Sequence, residues 1–174
     1  MDRLSTKSAL RSRAGGQWIA ALVALSLVTC IAASRTQAED YGGIAYTSVQ
    51  GQFADVQLGV ENAIINRGLV VDYRGHFGKM LERTGSAVGS AEQVYTHAEW
   101  LQFCSATLSR AMVEADPRNL GFCPYTIVLY ELAAQPGTVQ IGYRVPGKAG
   151  DAASMKALGA IDALLAGIVA EAAE

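Results

Sequence analysis

The stretch LQFCSATLSRAMVEADPRNLGFCPY, residues 101–125, carries the two side chains with the widest chemical reach, Cys104 and Cys123, at the two ends of an amphipathic segment. Three chemistries are open to such a pair. A disulfide would tie the end of one element to the start of another. Closing a loop of roughly 20 residues is worth about 3 kcal/mol in the chain-entropy account, provided the Cα atoms approach within about 7 Å. A dithiol would use Cys104 as the nucleophile, its thiolate favoured at the start of the helix that follows, and Cys123 as the resolving thiol. The absence of Cys-x-x-Cys counts against that reading. A metal or haem would draw on Cys123-Pro124, or on Cys104 with an imidazole. His76 and His97 are the two histidines in the chain. His97 and Glu99 stand two apart, so on a strand they face one side, and with Cys104 or His76 they could hold Zn²⁺ or Cu. The alternative for that pair is a solvated strand face. No Cys-x-x-Cys-His occurs, which excludes covalent c-type haem. No cofactor is therefore expected, with metal and haem left open.

Two further candidates for ligand binding join His97 and Glu99. Arg110 lies on the segment between the cysteines, where an anion contact competes with an ordinary surface charge. Tyr125 belongs with Tyr95, Trp100, Phe103 and Tyr130 to a set of aromatics suited to core and sheet packing, a subset of which could line a small-molecule pocket. Hydrolase and nucleotide motifs are absent: no Gly-x-Ser-x-Gly, no His-Glu-x-x-His, no P-loop and no Gly-x-Gly-x-x-Gly after a strand. Glu114 and Asp116 read as a helix end running into an Asp-Pro turn rather than as a catalytic carboxylate pair. No catalytic residue is assigned.

The N-terminus reads as an export signal. Arg3, Lys7, Arg11 and Arg13 precede the uncharged, mostly apolar run Trp18–Ala33, and Thr36 and Ala38 present small residues where a signal peptidase cleaves. Cleavage after Ala38 is expected, giving a signal peptide over residues 1–38 and one domain over 39–174. The 16-residue apolar run is shorter than the roughly 20 residues that a span needs, so no stable membrane insertion is expected once the leader is gone. Cys30 follows Thr29 rather than Gly or Ala, which disfavours a lipid anchor. Cys30 departs with the leader, and the remaining even pair in an exported chain favours a disulfide in a periplasmic or secreted bacterial protein. Of the 14 basic and 16 acidic residues, the leader holds five basic (Arg3, Lys7, Arg11, Arg13, Arg35) and one acidic (Asp2), leaving 9 against 15, a net of −6. That charge excludes nucleic acid as a partner.

The elements that must position these residues follow from hydrophobic period and punctuation. A strand is expected over Gly43–Gly51, then a helix with Phe53, Val56, Val60, Ala63 and Ile64 on one stripe, stopping at Gly68. A second strand (Leu69–Gly75), a short helix ending at Gly85 and a loop follow. The aromatic stretch Glu92–Phe103 reads as a strand. Ser105 caps a helix with Leu108, Met112 and Ala115 inward. Residues 116–119 form a turn, Phe122–Leu132 a strand with Pro124 near its start, and Val139–Val145 its hairpin partner. A long C-terminal helix buries Met155, Leu158, Ile161, Leu165, Ile168 and Val169. The mixed order argues α+β: a single domain with an antiparallel sheet, helices packed on one face and a long C-terminal helix.

The segments GQFADVQLGVENAIINRGLVV, WLQFCSATLSRAMVEADPRNLGFCPYTIVLYEL and VQIGYRVP together resemble the bacterial family called domain of unknown function 302 (DUF302). The features that carry the likeness are Phe53, Gly68, Phe103, Asp116-Pro117, Pro124 to Glu131 and Tyr143 to Pro146, spread over residues 45–172. The resemblance implies a compact α+β fold with helices on one side of an antiparallel sheet. It implies no activity and supplies no site residues; the cysteine pair matches an exported subset of the family. The expectation is an exported domain that binds a small molecule or a periplasmic protein and is stapled by one disulfide. A thiol redox or sulfur-handling protein using Cys104 and Cys123, and a metal or haem binder, stand as the competing readings.

Overall fold

Strand and helix alternate along the chain before a final hairpin and helix. The computed structural model describes residues 39–90 and 92–174; the expected leader and Cys30 lie outside the described residues. The strands are β1 (Glu39–Asp40), β2 (Ile44–Gln50), β3 (Val71–Gly75), β4 (Tyr95–Phe103), β5 (Tyr125–Leu132) and β6 (Thr138–Arg144). The helices are α1 (Phe53–Ile65), α2 (Phe77–Thr84), α3 (Ala106–Ala115) and α4 (Ala152–Ala172), with 3₁₀ turns at Gly85–Val88 and Pro117–Phe122. The strands form one sheet in the order β1-β2-β6-β5-β4-β3, every neighbouring pair antiparallel.

Period-two alternation sorts the sheet into two faces. In β5, Tyr125, Ile127, Leu129 and Glu131 are buried and the residues between them half-buried. The buried face meets α1, whose Phe53, Val56, Val60, Ala63 and Ile64 are all buried, as their helical spacing predicts. Gly68, at φ 72°, takes the chain out of that helix in a conformation that other residues rarely adopt. α4 packs against α1 and α3, burying Leu158, Ile161, Leu165, Ile168 and Val169. Met155 departs from expectation and is exposed. Its neighbour Ser154 faces inward instead, because Asn119 Nδ2 donates to Ser154 Oγ (2.8 Å) and to the Met112 carbonyl (2.9 Å). A polar side chain therefore serves the first turn of α4 better than an apolar one. Among the described residues α4 alone is long and apolar enough to cross a membrane, and here its apolar stripe belongs to the core.

The layering expected of the helices holds for α1, α3 and α4. α2 docks on the opposite face of β4: Gly78 sits against Ala98 and Phe77 packs on Trp100 with centroids 5.8 Å apart. That face carries a continuous row of half-buried rings. Tyr46 meets Tyr130 (5.7 Å), Tyr130 meets Tyr95 (5.5 Å) and Tyr95 meets Phe77 (6.2 Å). Two rings lie over cross-strand glycines: Tyr46 over Gly142 and Trp100 over Gly75, each pair in direct register. A Cβ on either glycine would fall inside the ring above it. Gly142→Ala is expected to destabilise the domain by about 1–3 kcal/mol, as overpacking does. In a Tyr46→Ala background the penalty should shrink, because the ring that the methyl meets is gone. Urea denaturation of the four proteins checks this; an equal penalty in both backgrounds would contradict it.

Candidate functional site

The β4–β5 ladder carries a candidate site at each end. At one end β3 stops at Gly75, and the chain turns through His76 into α2. His76 Nδ1 thereby comes 2.9 Å from Glu99 Oε1. Glu99 Oε2 accepts from Gln57 Nε2 on α1 at 2.7 Å. Both oxygens of the half-buried Glu99 carboxylate are thus held by residues from two other elements. His97, two residues away on the same face, stacks on Phe53 of α1 with centroids 4.7 Å apart. Its Nε2 lies 3.9 Å from Glu131 Oε2 on β5, directly opposite in register. Glu131 is buried, and its other oxygen accepts the Gly137 N–H of the hairpin turn at 2.6 Å. A groove of about 540 Å³ opens beside this cluster, walled by α2, the following 3₁₀ turn and the first residues of β4. His76, His97 and Glu99 line it together with Lys79, Tyr95 and Thr96.

The structure thus brings His97 and Glu99 together with His76, the imidazole expected as their possible partner, and adds Gln57 and Glu131. Gln57 and Glu131 were not singled out in the sequence, since their roles depend on long-range pairing. His97 opposite Glu131 carried a weak signal, because both lie in strands with interpretable alternation. The cluster is not a metal centre of recognisable form: among the described residues no group of three or more His, Cys, Asp and Glu side chains is placed to hold a metal ion. Cys104, proposed as a partner to His97 and Glu99, lies past the far end of β4.

At that far end the two thiols meet. Ser105 caps α3, its Oγ accepting the Leu108 N–H at 3.3 Å, and Cys104 precedes the cap. The 3₁₀ turn Pro117–Phe122 returns the chain to Cys123, whose Sγ is 3.2 Å from that of Cys104, with both cysteines unbonded. Ser109 Oγ lies 3.3 Å from Cys123 Sγ and 3.0 Å from the Tyr125 hydroxyl. Tyr125 is buried, edge-on to Phe103. The helix start does not activate Cys104. Burial, then the hydrogen bond and charge of Cys123, push its thiol up to about 11, outweighing a backbone hydrogen bond at Tyr125 and the Ser109 hydroxyl. The direction is opposite to that expected of a nucleophile at a helix N-terminus. Burial likewise pushes Tyr125 up to about 12.

Arg110 joins neither end. It is exposed on α3, 3.6 Å from Glu114 one turn on, and serves as a surface charge. Asp116 caps the 3₁₀ turn and accepts from the Arg118 N–H and guanidinium, so the carboxylates near residue 115 are turn chemistry.

No family model matches the sequence, and no curated protein does. Among solved structures, the crystal structure of an uncharacterized conserved DUF302 protein from Bacillus stearothermophilus matches with a TM-score of 0.63 at 17% identity, covering 75% of this chain and 98% of that one. The chain has a DUF302-like fold. At that identity the likeness extends to architecture, and the DUF302-like frame assigns no chemistry to either end of the ladder.

A pH dependence follows from the thiol end. Cys104 and Tyr125 are both raised, so the fold favours their neutral forms. Their contribution is fully present below the ordinary values of 9.0 and 10.0 and is lost as pH rises through about 11 and 12. The reduced protein should therefore lose stability from pH 9 upward, and Cys104→Ser should flatten the first part of that decline. Urea midpoints measured from pH 8 to 11 report it; a stability that rises over this range would contradict the assignment.

Proposed function

We propose that this chain is an exported binding domain that holds a small molecule in the groove beside α2, with Cys104 and Cys123 closed as a disulfide in the exporting compartment. The observation that carries the reading is a groove of about 540 Å³ whose lining includes His76, His97 and Glu99. Its volume lies in the range of small-ligand sites, which combine apolar walls with a few fixed polar groups. Leu81, Tyr95 and Ala98 supply the apolar surface. Glu99, held on both oxygens, is oriented before any ligand arrives. The His76 and His97 side chains, 45% and 51% exposed, are accessible at its edge. The ligand class that fits is a molecule with an apolar body and hydrogen-bonding groups that pair with imidazole.

Export rests on the leader-like first 38 residues and on the two cysteines left behind them. Disulfide closure is supported by sulfurs already at contact distance. On this reading the chain belongs with exported, two-cysteine members of the DUF302 family. Nucleic acid is repelled by the net charge of −6 over residues 39–174, and the domain does not insert in a membrane once the leader is removed.

Native mass spectrometry of protein recovered from the exporting compartment tests the binding claim. A non-covalent small-molecule adduct is expected on the wild type and on Cys104→Ser. It should be lost from Thr96→Trp, which fills the groove from an exposed position on β4. An adduct that persists in Thr96→Trp, or none on any of the three, would contradict the reading.

A further inference from the structure

We propose that Cys123 is a thiol–disulfide exchange site for small disulfides bearing carboxylate groups, entered through a second cleft at the opposite end of the β4–β5 ladder from the groove. The inference stands apart from small-molecule binding beside α2. The cleft has a volume of about 210 Å³ and is lined by Cys123, Pro124, Tyr125, Arg144, Pro146 and Leu165, among others. Cys104 is not part of its lining; its sulfur sits 3.2 Å behind that of Cys123. The two thiols are therefore inequivalent toward the cleft: both are half-buried, but Cys123 forms part of its wall and Cys104 does not. This reverses the order of roles expected from sequence.

The surroundings of Cys123 suit an exchanging sulfur. Ser109 Oγ, 3.3 Å away, can donate to a thiolate there while accepting from the Tyr125 hydroxyl. Arg144, exposed at the end of β6, is part of the lining of the same cleft. A guanidinium matches the geometry of a carboxylate. It also acts against the acidic net charge of the domain, which would otherwise repel an anion.

In the reduced protein, Cys123 gives up its proton and its thiolate attacks one sulfur of a disulfide RS–SR. The RS–SR bond breaks, a Cys123–S–S–R bond forms, and the departing RS⁻ takes a proton to leave as RSH. Cys104 then gives up its proton and attacks Cys123 Sγ. The Cys104–Cys123 bond forms and the second RS⁻ departs, again protonated. Two electrons pass from the protein dithiol to the small disulfide, and the two thiol protons end on two RSH. The second step favours the forward direction. A small thiolate is a better leaving group than Cys104, whose burial makes its thiolate costly.

The test uses the purified leader-free chain that begins at Glu39 and so lacks Cys30, reduced and freed of reductant, with oxidised glutathione as the anionic probe and cystamine as its cationic counterpart, followed by intact mass. Cys104→Ser should trap one glutathionyl group on Cys123. Cys123→Ser should stay unmodified over the same period, and the wild type should finish as the internal disulfide without an adduct. Arg144→Gln should slow capture of glutathione from its disulfide roughly three- to fivefold, the scale of one exposed charge contact, and leave cystamine unaffected. Limiting iodoacetamide on the reduced wild type, mapped by peptide mass, should label Cys123 ahead of Cys104 without any substitution. Capture by Cys123→Ser as fast as by Cys104→Ser, faster labelling of Cys104, or an Arg144→Gln effect equal for both probes would overturn the proposal.

Discussion

The pairing of β4 with β5 is the constraint on which the rest of the molecule depends. It runs from His97 opposite Glu131 to Phe103 opposite Tyr125, one strand in from the β3 edge of the sheet. It fixes which side chains face α1 and which face α2. A slip of one residue would send Leu101, Phe103, Ile127 and Leu129 to the wrong face, so the register is set by the burial of these positions. The same register places an imidazole–carboxylate cluster at one end and two thiols at the other. Both candidate sites are products of one ladder and cannot be moved independently of the core.

α1 couples that ladder to the groove. Its apolar stripe enters the core, while Phe53 and Gln57 at its N-terminal end touch His97 and Glu99. Each fully buried Val, Leu or Ile is worth roughly 1.5–3 kcal/mol, whereas an exposed ion pair contributes about 0–1 kcal/mol. Helix position is therefore decided by the core, with α4 supplying the facing surface. The Arg67–Glu171 pair between the C-terminal ends of α1 and α4 is a minor addition. Arg67 also donates to the Ala63 carbonyl at 2.8 Å, serving the unsatisfied end of α1. α1 does not line the groove; through Phe53 and Gln57 it fixes His97 and Glu99, which do.

What was legible in the sequence is what depends on local period. The five-residue stripe of α1, the Ser105 cap and the alternation of β5 were readable because a helix or strand repeats over short range. The shared side of His97 and Glu99 was readable for the same reason. What was not legible depends on residues far apart in the chain. His76 reaches Glu99 across 23 positions and Gln57 across 42. Ser109 links Cys123 to Tyr125 only after the 3₁₀ turn has brought the chain back. Met155 fits the helical period of α4, yet the buried Asn119 claims its neighbour Ser154. The Cys104 thiol is not legible from its place before a helix, because the burial that raises it is set by tertiary packing. The two-residue β1 carries too few residues for any period to show.

On the proposed function, export and closure of Cys104 on Cys123 go together, and the groove beside α2 is where a small molecule is held. Intact mass of the protein recovered from the exporting compartment, alkylated with and without prior reduction, tests this most directly. The account predicts a chain that begins at Glu39 and takes up alkylating agent on Cys104 and Cys123 only after reduction. A chain that retains residues 1–38, or one whose two thiols alkylate without reduction, would contradict it.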